Sequence, residues 1–202
     1  MNVLSCFDGV SCAYEALVRA GVKINKYYAI EIEENARKVA DRNHPDILRP
    51  TNDVREVTAS MFPDGIDLII GGSPCQDLSV AKNGREGLAG ARSGLFYTFS
   101  SIIKTLKPKH FILENVYSMP KDCRDTITNE MGVEPVKFDA ALVSAQSRKR
   151  LFWTNIKFEL PEAQDIVLAD ILEPDGIVDA RMVNKKQKAY CLTASYQGAN
   201  TS

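Results

Sequence analysis

Three short segments carry side chains able to do covalent chemistry. In GGSPCQDLS (Gly71–Ser79) a thiol, Cys75, follows Pro74 at the end of an apolar run and inside a glycine-rich turn. A thiol among free backbone amides can be stabilised as the thiolate, which is its nucleophilic form. A free cysteine is more often a small buried hydrophobe, so the position alone leaves both readings open. In FILENV, Glu114 stands at the carboxyl end of an apolar run, where a partly buried carboxyl can retain or accept a proton. In QSRKR, the residues Gln146, Arg148 and Arg150 share one side if the segment is extended, with Ser147 and Lys149 on the other. Such a cluster is often a solvated face, but two guanidiniums on one side also suit phosphate or carbonyl recognition.

A second set could hold a nucleoside-bearing cofactor. FDGVSCA follows the first apolar run; its Gly9 allows a close backbone turn, and the helix expected after it begins with its positive end toward any ligand. The segment lacks the G-x-G-x-x-G spacing of a dinucleotide fingerprint, and a purely structural turn also fits it. Glu31 ends the second apolar run, where a carboxylate can accept hydrogen bonds from both hydroxyls of a ribose. A solvated acid at a helix start is the plain alternative. In NDV, Asp53 precedes Val54 and could accept from an adenine amino group or cap a short helix. The order of the three along the chain, rather than any one of them, points to a cofactor.

The elements that must position these residues follow from periodicity. NVLSCF, KYYAIEI, IDLIIGG and KHFILENV read as strands; CAYEALVRAG, EENARKVADRN, RSGLFYTFSSIIKTLK and CRDTITNEM read as helices, with stops at Gly21, near Pro45 and at Gly132. Strands alternating with helices imply an α/β fold, a mostly parallel, doubly wound sheet covered on both faces. Ligands of such sheets bind beyond the carboxyl ends of the strands, and Gly9, Glu31, Cys75 and Glu114 all fall there. VKFDAALVSA and KRLFWTNI leave little room for a helix between them, so an antiparallel strand pair is expected to close the sheet. After Ile156 the pattern changes, with Pro161, Pro174 and Gly176 and a polar YQGANTS end. The expected organisation is a catalytic domain over residues 1–156 and an incomplete second region over 157–202.

Bulk properties narrow the class. With 202 residues, 45% of them hydrophobic, the chain can bury one sizeable core. No apolar run approaches the roughly 18 residues of a membrane span, and no basic stretch precedes the first apolar segment, so a cytoplasmic protein without membrane contact is expected. The five cysteines, Cys6, Cys12, Cys75, Cys123 and Cys191, form no C-x-x-C pair and suggest neither disulfides nor a metal site. A net charge of -1 means that any nucleic-acid surface must be local.

Taken together, FDG, the acidic end of the second strand, DV, GGSPCQDLS, ENV and QSRKR resemble the DNA (cytosine-5) methyltransferases in order and spacing, over residues 2 to about 156. The flavour is similar to bacterial and phage enzymes of the restriction-modification kind and to the mammalian de novo type. The resemblance implies a Rossmann-like fold that binds S-adenosylmethionine, and methyl transfer to C5 of cytosine in double-stranded DNA. It implies that Cys75 adds to C6, that Glu114 protonates or hydrogen-bonds N3, and that Arg148 holds the base carbonyl and a neighbouring phosphate, with Gln146 and Arg150 of the same motif beside it. The target base must leave the helical stack, and Ser79 to Gly94 resembles the loop that closes over it. Phe7, Asp8 and Gly9 would line the cofactor, Glu31 bind its ribose and Ile32 flank the adenine. Asp53, with Val54 after it, would bind the adenine amino group, Pro74 shape the turn and Leu95 pack near the adenine.

The match also has departures. Family members often have a second glycine in the first motif where this chain has Ala13. A full recognition lobe, an arginine-bearing brace and a returning C-terminal helix are not recognisable, and Lys185, Lys186 and Lys188 offer few phosphate contacts. The chain is therefore expected to be a fragment or one subunit of a split enzyme that works with a complementary chain. Two alternatives are a transfer-RNA cytosine-5 methyltransferase and a non-catalytic, cofactor-binding partner subunit.

Overall fold

A computed structural model of the chain describes residues 1–73, 94–172 and 188–190. Its strands are β1 (Asn2–Cys6), β2 (Lys26–Ile30), β3 (Leu68–Gly71), β4 (His110–Val116), β5 (Val136–Asp139), β6 (Gln146–Ser147), β7 (Lys149–Thr154) and β8 (Ala189–Tyr190). The helices are α1 (Cys12–Arg19), α2 (Glu34–Asn43), α3 (Leu95–Leu106), α4 (Lys121–Met131) and the short α5 (Leu168–Ile171). Six strands form one sheet in the order β2-β1-β3-β4-β7-β5, and β6 and β8 form a parallel pair. The large sheet is mostly parallel with an antiparallel pair, as expected. By contact density the chain divides into residues 1–136 with 151–157, and residues 137–150 with those after 157.

In the first unit, period-two alternation sends side chains of the central strands into cores on both faces. Leu4, Cys6, Tyr28, Ile30 and Ile69 join Phe96, Phe99, Leu113, Ile127 and Trp153 on one side, while Val3, Tyr27, Ala29 and Leu68 pack with Tyr14 and Leu17 on the other. Every residue of β1 is buried, which is why NVLSC reads as an almost continuous apolar run. The fully buried Trp153 satisfies its indole N–H by donating to the Thr128 hydroxyl at 3.0 Å.

Helix ends follow local chemistry. Gly132, at φ 70°, ends α4 in the left-handed conformation that costs glycine no Cβ clash. That helix begins at Lys121, two residues before the expected Cys123, because Pro120 suits the position before a first turn that lacks acceptors for its N–H groups. VKFDAALVSA was expected to run on as a strand, but β5 ends at Asp139. Its carboxylate accepts from the Ala141 N–H at 3.1 Å and caps a 3₁₀ turn over Ala140–Leu142.

Register brings three strand ends together. Cys6 is opposite Ile30 on one side and Gly71 on the other, so β1, β2 and β3 stop on one line. Strand order reverses about β1, the arrangement that opens a crevice beyond the carboxyl ends. Gly71 is required there: a Cβ on it would lie 2.4 Å from Cε2 of the buried Phe99. Gly71→Ala should destabilise the protein by roughly 1–3 kcal/mol through overpacking, read as a lower urea midpoint with unchanged slope.

Candidate functional site

The turn after β1 is conformationally unusual. Phe7, Gly9 and Ser11 have φ of 58°, 60° and 64°, so two residues other than glycine occupy the left-handed region, at about 1–2 kcal/mol each. Hydrogen bonds hold them. The Asp8 N–H donates to the Ile30 carbonyl at 3.1 Å, the Ser11 N–H to the Asp8 carbonyl at 3.1 Å, and the Gly9 N–H to Glu31 Oε2 at 2.8 Å. Glu31 Oε1 accepts from the Glu33 N–H at 2.9 Å. Each Glu31 oxygen thereby takes one backbone donor and keeps acceptor capacity for a further hydroxyl, the chemistry of a group that holds a vicinal diol. Phe7 packs partly buried on the core, and Ile32, 61% exposed, presents an apolar side chain beside Glu31. Asp8, by contrast, is buried and turned inward, accepting from the Tyr27 hydroxyl at 2.8 Å and from the Ser11 hydroxyl.

Asp53 takes the capping role and adds an ion pair. It caps a 3₁₀ turn over Val54–Glu56, accepting from the Arg55 N–H at 2.9 Å, and it pairs with the Arg55 guanidinium at 2.5 Å. The guanidinium contact, with the backbone N–H, holds the Asp53 carboxyl below its ordinary range. Val54 lies in the core, which leaves only its backbone for a ligand, and Leu95 is partly buried at the start of α3.

At the ends of β3 and β4, Glu114 stands against Gly72. A Cβ on Gly72 would be 3.1 Å from Glu114 Oε2, so glycine leaves the space that the carboxyl uses. Next to it, the buried Asn115 donates its amide to Ser73 Oγ at 3.1 Å and to the Ser73 carbonyl at 3.4 Å. Ser73, which precedes Pro74 and Cys75 in the sequence, is thus tied to β4. Pro74, Cys75 and the expected closing loop lie outside the described residues. Ser73 and Asn115 were not singled out by sequence reasoning; a small polar residue before P-C and a buried amide beside Glu114 were the available signals.

The second unit holds the arginine segment. Gln146 and Ser147 pair with Ala189 and Tyr190, and Arg148 falls between β6 and β7. Asp139 accepts from the Arg148 N–H at 2.9 Å and from the Ser147 hydroxyl at 3.4 Å, while the Arg148 carbonyl accepts from the Ala140 N–H at 3.2 Å. The Arg150 guanidinium donates to the Lys149 carbonyl at 2.9 Å. Lys188, counted from the sequence among phosphate contacts, instead donates to the Ser144 and Ile166 carbonyls at 2.9 and 2.7 Å. Its ammonium serves the fold.

Among the described residues no group of three His, Cys, Asp or Glu side chains could hold a metal, and no helix is long and apolar enough to cross a membrane. Among the described residues Cys6, Cys12 and Cys123 are not joined in disulfides, and burial, with the Asp8 charge, pushes Cys6 far above its ordinary value, leaving it unreactive. Burial opposes ionisation of Asp139, but the Ala141 and Arg148 N–H groups and the Ser147 hydroxyl together bring it below 3.8. A depressed folded value means stabilisation that is present above 3.8 and lost as pH falls through the folded value. Thermal denaturation against pH should show a loss below about pH 4 in the natural protein that is smaller in Asp139→Asn.

Comparison with known proteins agrees with this architecture. A family model described as C-5 cytosine-specific DNA methylase matches residues 1–196. The chain is 37% identical over 118 residues to the type II methyltransferase M.Sau96I of Staphylococcus aureus, covering 57% of this chain and 27% of that protein. It is 30% identical over 182 residues to the type II methyltransferase M.NgoPII of Neisseria gonorrhoeae, covering 82% and 52%. Among solved structures, a prophage-encoded E. coli protein described as a DNA modification methyltransferase superimposes with a TM-score of 0.63 at 27% identity, covering 78% of this chain and 47% of that one. The chain spans about half or less of the length of these relatives, whose fold is that of S-adenosylmethionine-dependent methyltransferases. With nearly its whole length matched, the chain belongs to the C-5 cytosine-specific DNA methylase family.

Proposed function

We propose that the chain is the cofactor-binding and nucleophile-bearing part of a DNA cytosine-5 methyltransferase. The observation that carries this reading is the Glu114 carboxyl fitted against Gly72, three residues ahead of Cys75 at the carboxyl ends of adjacent strands. A carboxyl at the strand end, with a thiol three residues beyond the glycine it stands against, is the pair needed to activate a pyrimidine from two positions.

In this reading Glu31 accepts from the ribose hydroxyls of S-adenosylmethionine, Asp53 from its adenine amino group, and Phe7, Ile32 and Leu95 supply apolar contact. The free acceptor capacity of Glu31 and the open turn at Gly9 fit such a group. When bound, S-adenosylmethionine supplies an electrophilic methyl group to C5. The Cys75 thiolate forms a bond to C6 of an extruded cytosine, moving the ring's electron pair toward C5, and Glu114 hydrogen-bonds or protonates N3 as charge develops. Loss of the C5 proton then returns the electron pair to the ring, and the C6–S bond breaks to release Cys75. Arg148, with Gln146 and Arg150, contacts the base carbonyl and a phosphate of double-stranded DNA. The length of the relatives not matched here is where a complementary chain would contribute to recognition.

Fluorine at C5 cannot leave as a proton does, so 5-fluorocytosine traps the thiol adduct. A duplex with that base in a mismatch lowers the cost of extrusion and the demand on recognition. Incubation with S-adenosylmethionine should give a covalent adduct on denaturing gels that Cys75→Ser abolishes and Glu114→Gln slows about a hundredfold. No adduct, or one that survives in Cys75→Ser, contradicts the assignment.

A further inference from the structure

Asp8 heads the turn expected to line a cofactor, yet its carboxylate is buried and directed into the protein. Two hydroxyls donate to it, Tyr27 to Oδ1 at 2.8 Å and Ser11 to Oδ2. Tyr27 belongs to β2, the strand that leads into Glu31. The turn is therefore gripped by β2 and its extension at three points: the Tyr27 hydroxyl on the Asp8 side chain, the Ile30 carbonyl on the Asp8 N–H, and the Glu31 carboxylate on the Gly9 N–H.

We propose that Tyr27 is a positioning residue for cofactor binding: its hydroxyl, acting through Asp8, holds the Phe7–Ser11 turn so that the Gly9 N–H fixes the Glu31 carboxylate. The inference rests on the reading of Glu31 as the ribose acceptor. Tyr27 is 2% exposed, so it cannot act by touching a ligand. Its hydroxyl also meets the Ser5 side chain and the Tyr14 backbone, and it reaches the turn through Asp8. A buried carboxylate needs its donors, and without the phenol Oδ1 would lose its partner in apolar surroundings, favouring rotation of the side chain. That rotation loosens a turn with Phe7 and Ser11 in left-handed conformations, which persist only where the surroundings over-determine them. The phenol is a dependable donor: burial, then the Asp8 charge, raises its pKa far above the ordinary value. The Tyr14 ring, edge-on to Tyr27 at 5.1 Å, fixes the direction from which the hydroxyl approaches.

Calorimetric titration of the full chain with S-adenosylhomocysteine tests this without requiring turnover. The variants are Tyr27→Phe, Glu31→Gln and their combination, each with its melting temperature. Tyr27→Phe should weaken binding about tenfold in the natural background and about twofold or less when Glu31 is already Gln, because the hydroxyl acts through that carboxylate. A lower melting temperature with unchanged affinity would make the hydroxyl merely structural and overturn the inference, as would additive losses in the double variant. If Tyr27→Phe does not fold, Ser11→Ala, which removes the other hydroxyl on Asp8, carries the same expectation. Failure of the natural chain to bind S-adenosylhomocysteine overturns the cofactor reading and this inference with it; normal binding by Tyr27→Phe overturns this inference alone.

Discussion

Parallel pairing about β1 is the constraint from which the site follows. Because Cys6 lies opposite both Ile30 and Gly71, three strands release their chains at one edge of the sheet. Peptide groups leaving a parallel ladder must find new partners close by. The Asp8 N–H takes the Ile30 carbonyl, the Gly9 N–H takes the Glu31 carboxylate, and the Ser73 carbonyl and hydroxyl take the Asn115 amide. Satisfying the backbone and arranging polar side chains for a ligand are thus one operation at this edge.

Close packing limits what can stand there. Gly71 lies against Phe99 and Gly72 against Glu114, so the pair of glycines before the P-C dipeptide serves two neighbours of different kinds, one a buried ring and one a carboxyl. Left-handed backbone at Phe7 and Ser11 adds a local cost that the Asp8 contacts offset. Sites of this kind concentrate strain where the surrounding core is strong enough to hold it. Here that core is the double-sided packing of β1, with Leu4 and Cys6 on one face and Val3 on the other.

The strands and helices of the first unit were legible because their signals are local. Apolar runs of strand length, helical spacing in CAYEALVRAG and stops at Gly21 and Gly132 do not depend on distant partners. The positions of Gly9, Glu31 and Glu114 at strand ends followed from the same pattern. What escaped depends on side chains choosing between partners. Asp139 could have ended a strand or continued it, and its capping bonds with Ala141 and Arg148 decided the matter. The direction of the Asp8 side chain depended on Tyr27, nineteen residues away. Lys188 looked like a free surface cation because its carbonyl partners, Ser144 and Ile166, are distant in sequence. The tie between Asn115 and Ser73 spans forty-two residues and has no periodic signal.

The central claim is that the carboxyl edge of β1, β2 and β3 binds a nucleoside-bearing methyl donor through Glu31. Equilibrium dialysis of S-adenosylmethionine against Met1–Ser202 and against Glu31→Ala, with no nucleic acid present, tests it most directly. The account predicts saturable binding of one molecule per chain, weakened by about tenfold or more when the carboxylate is removed, since hydrogen bonds to a charged acceptor are lost. Absence of saturable binding, or equal binding by the two proteins, would contradict it.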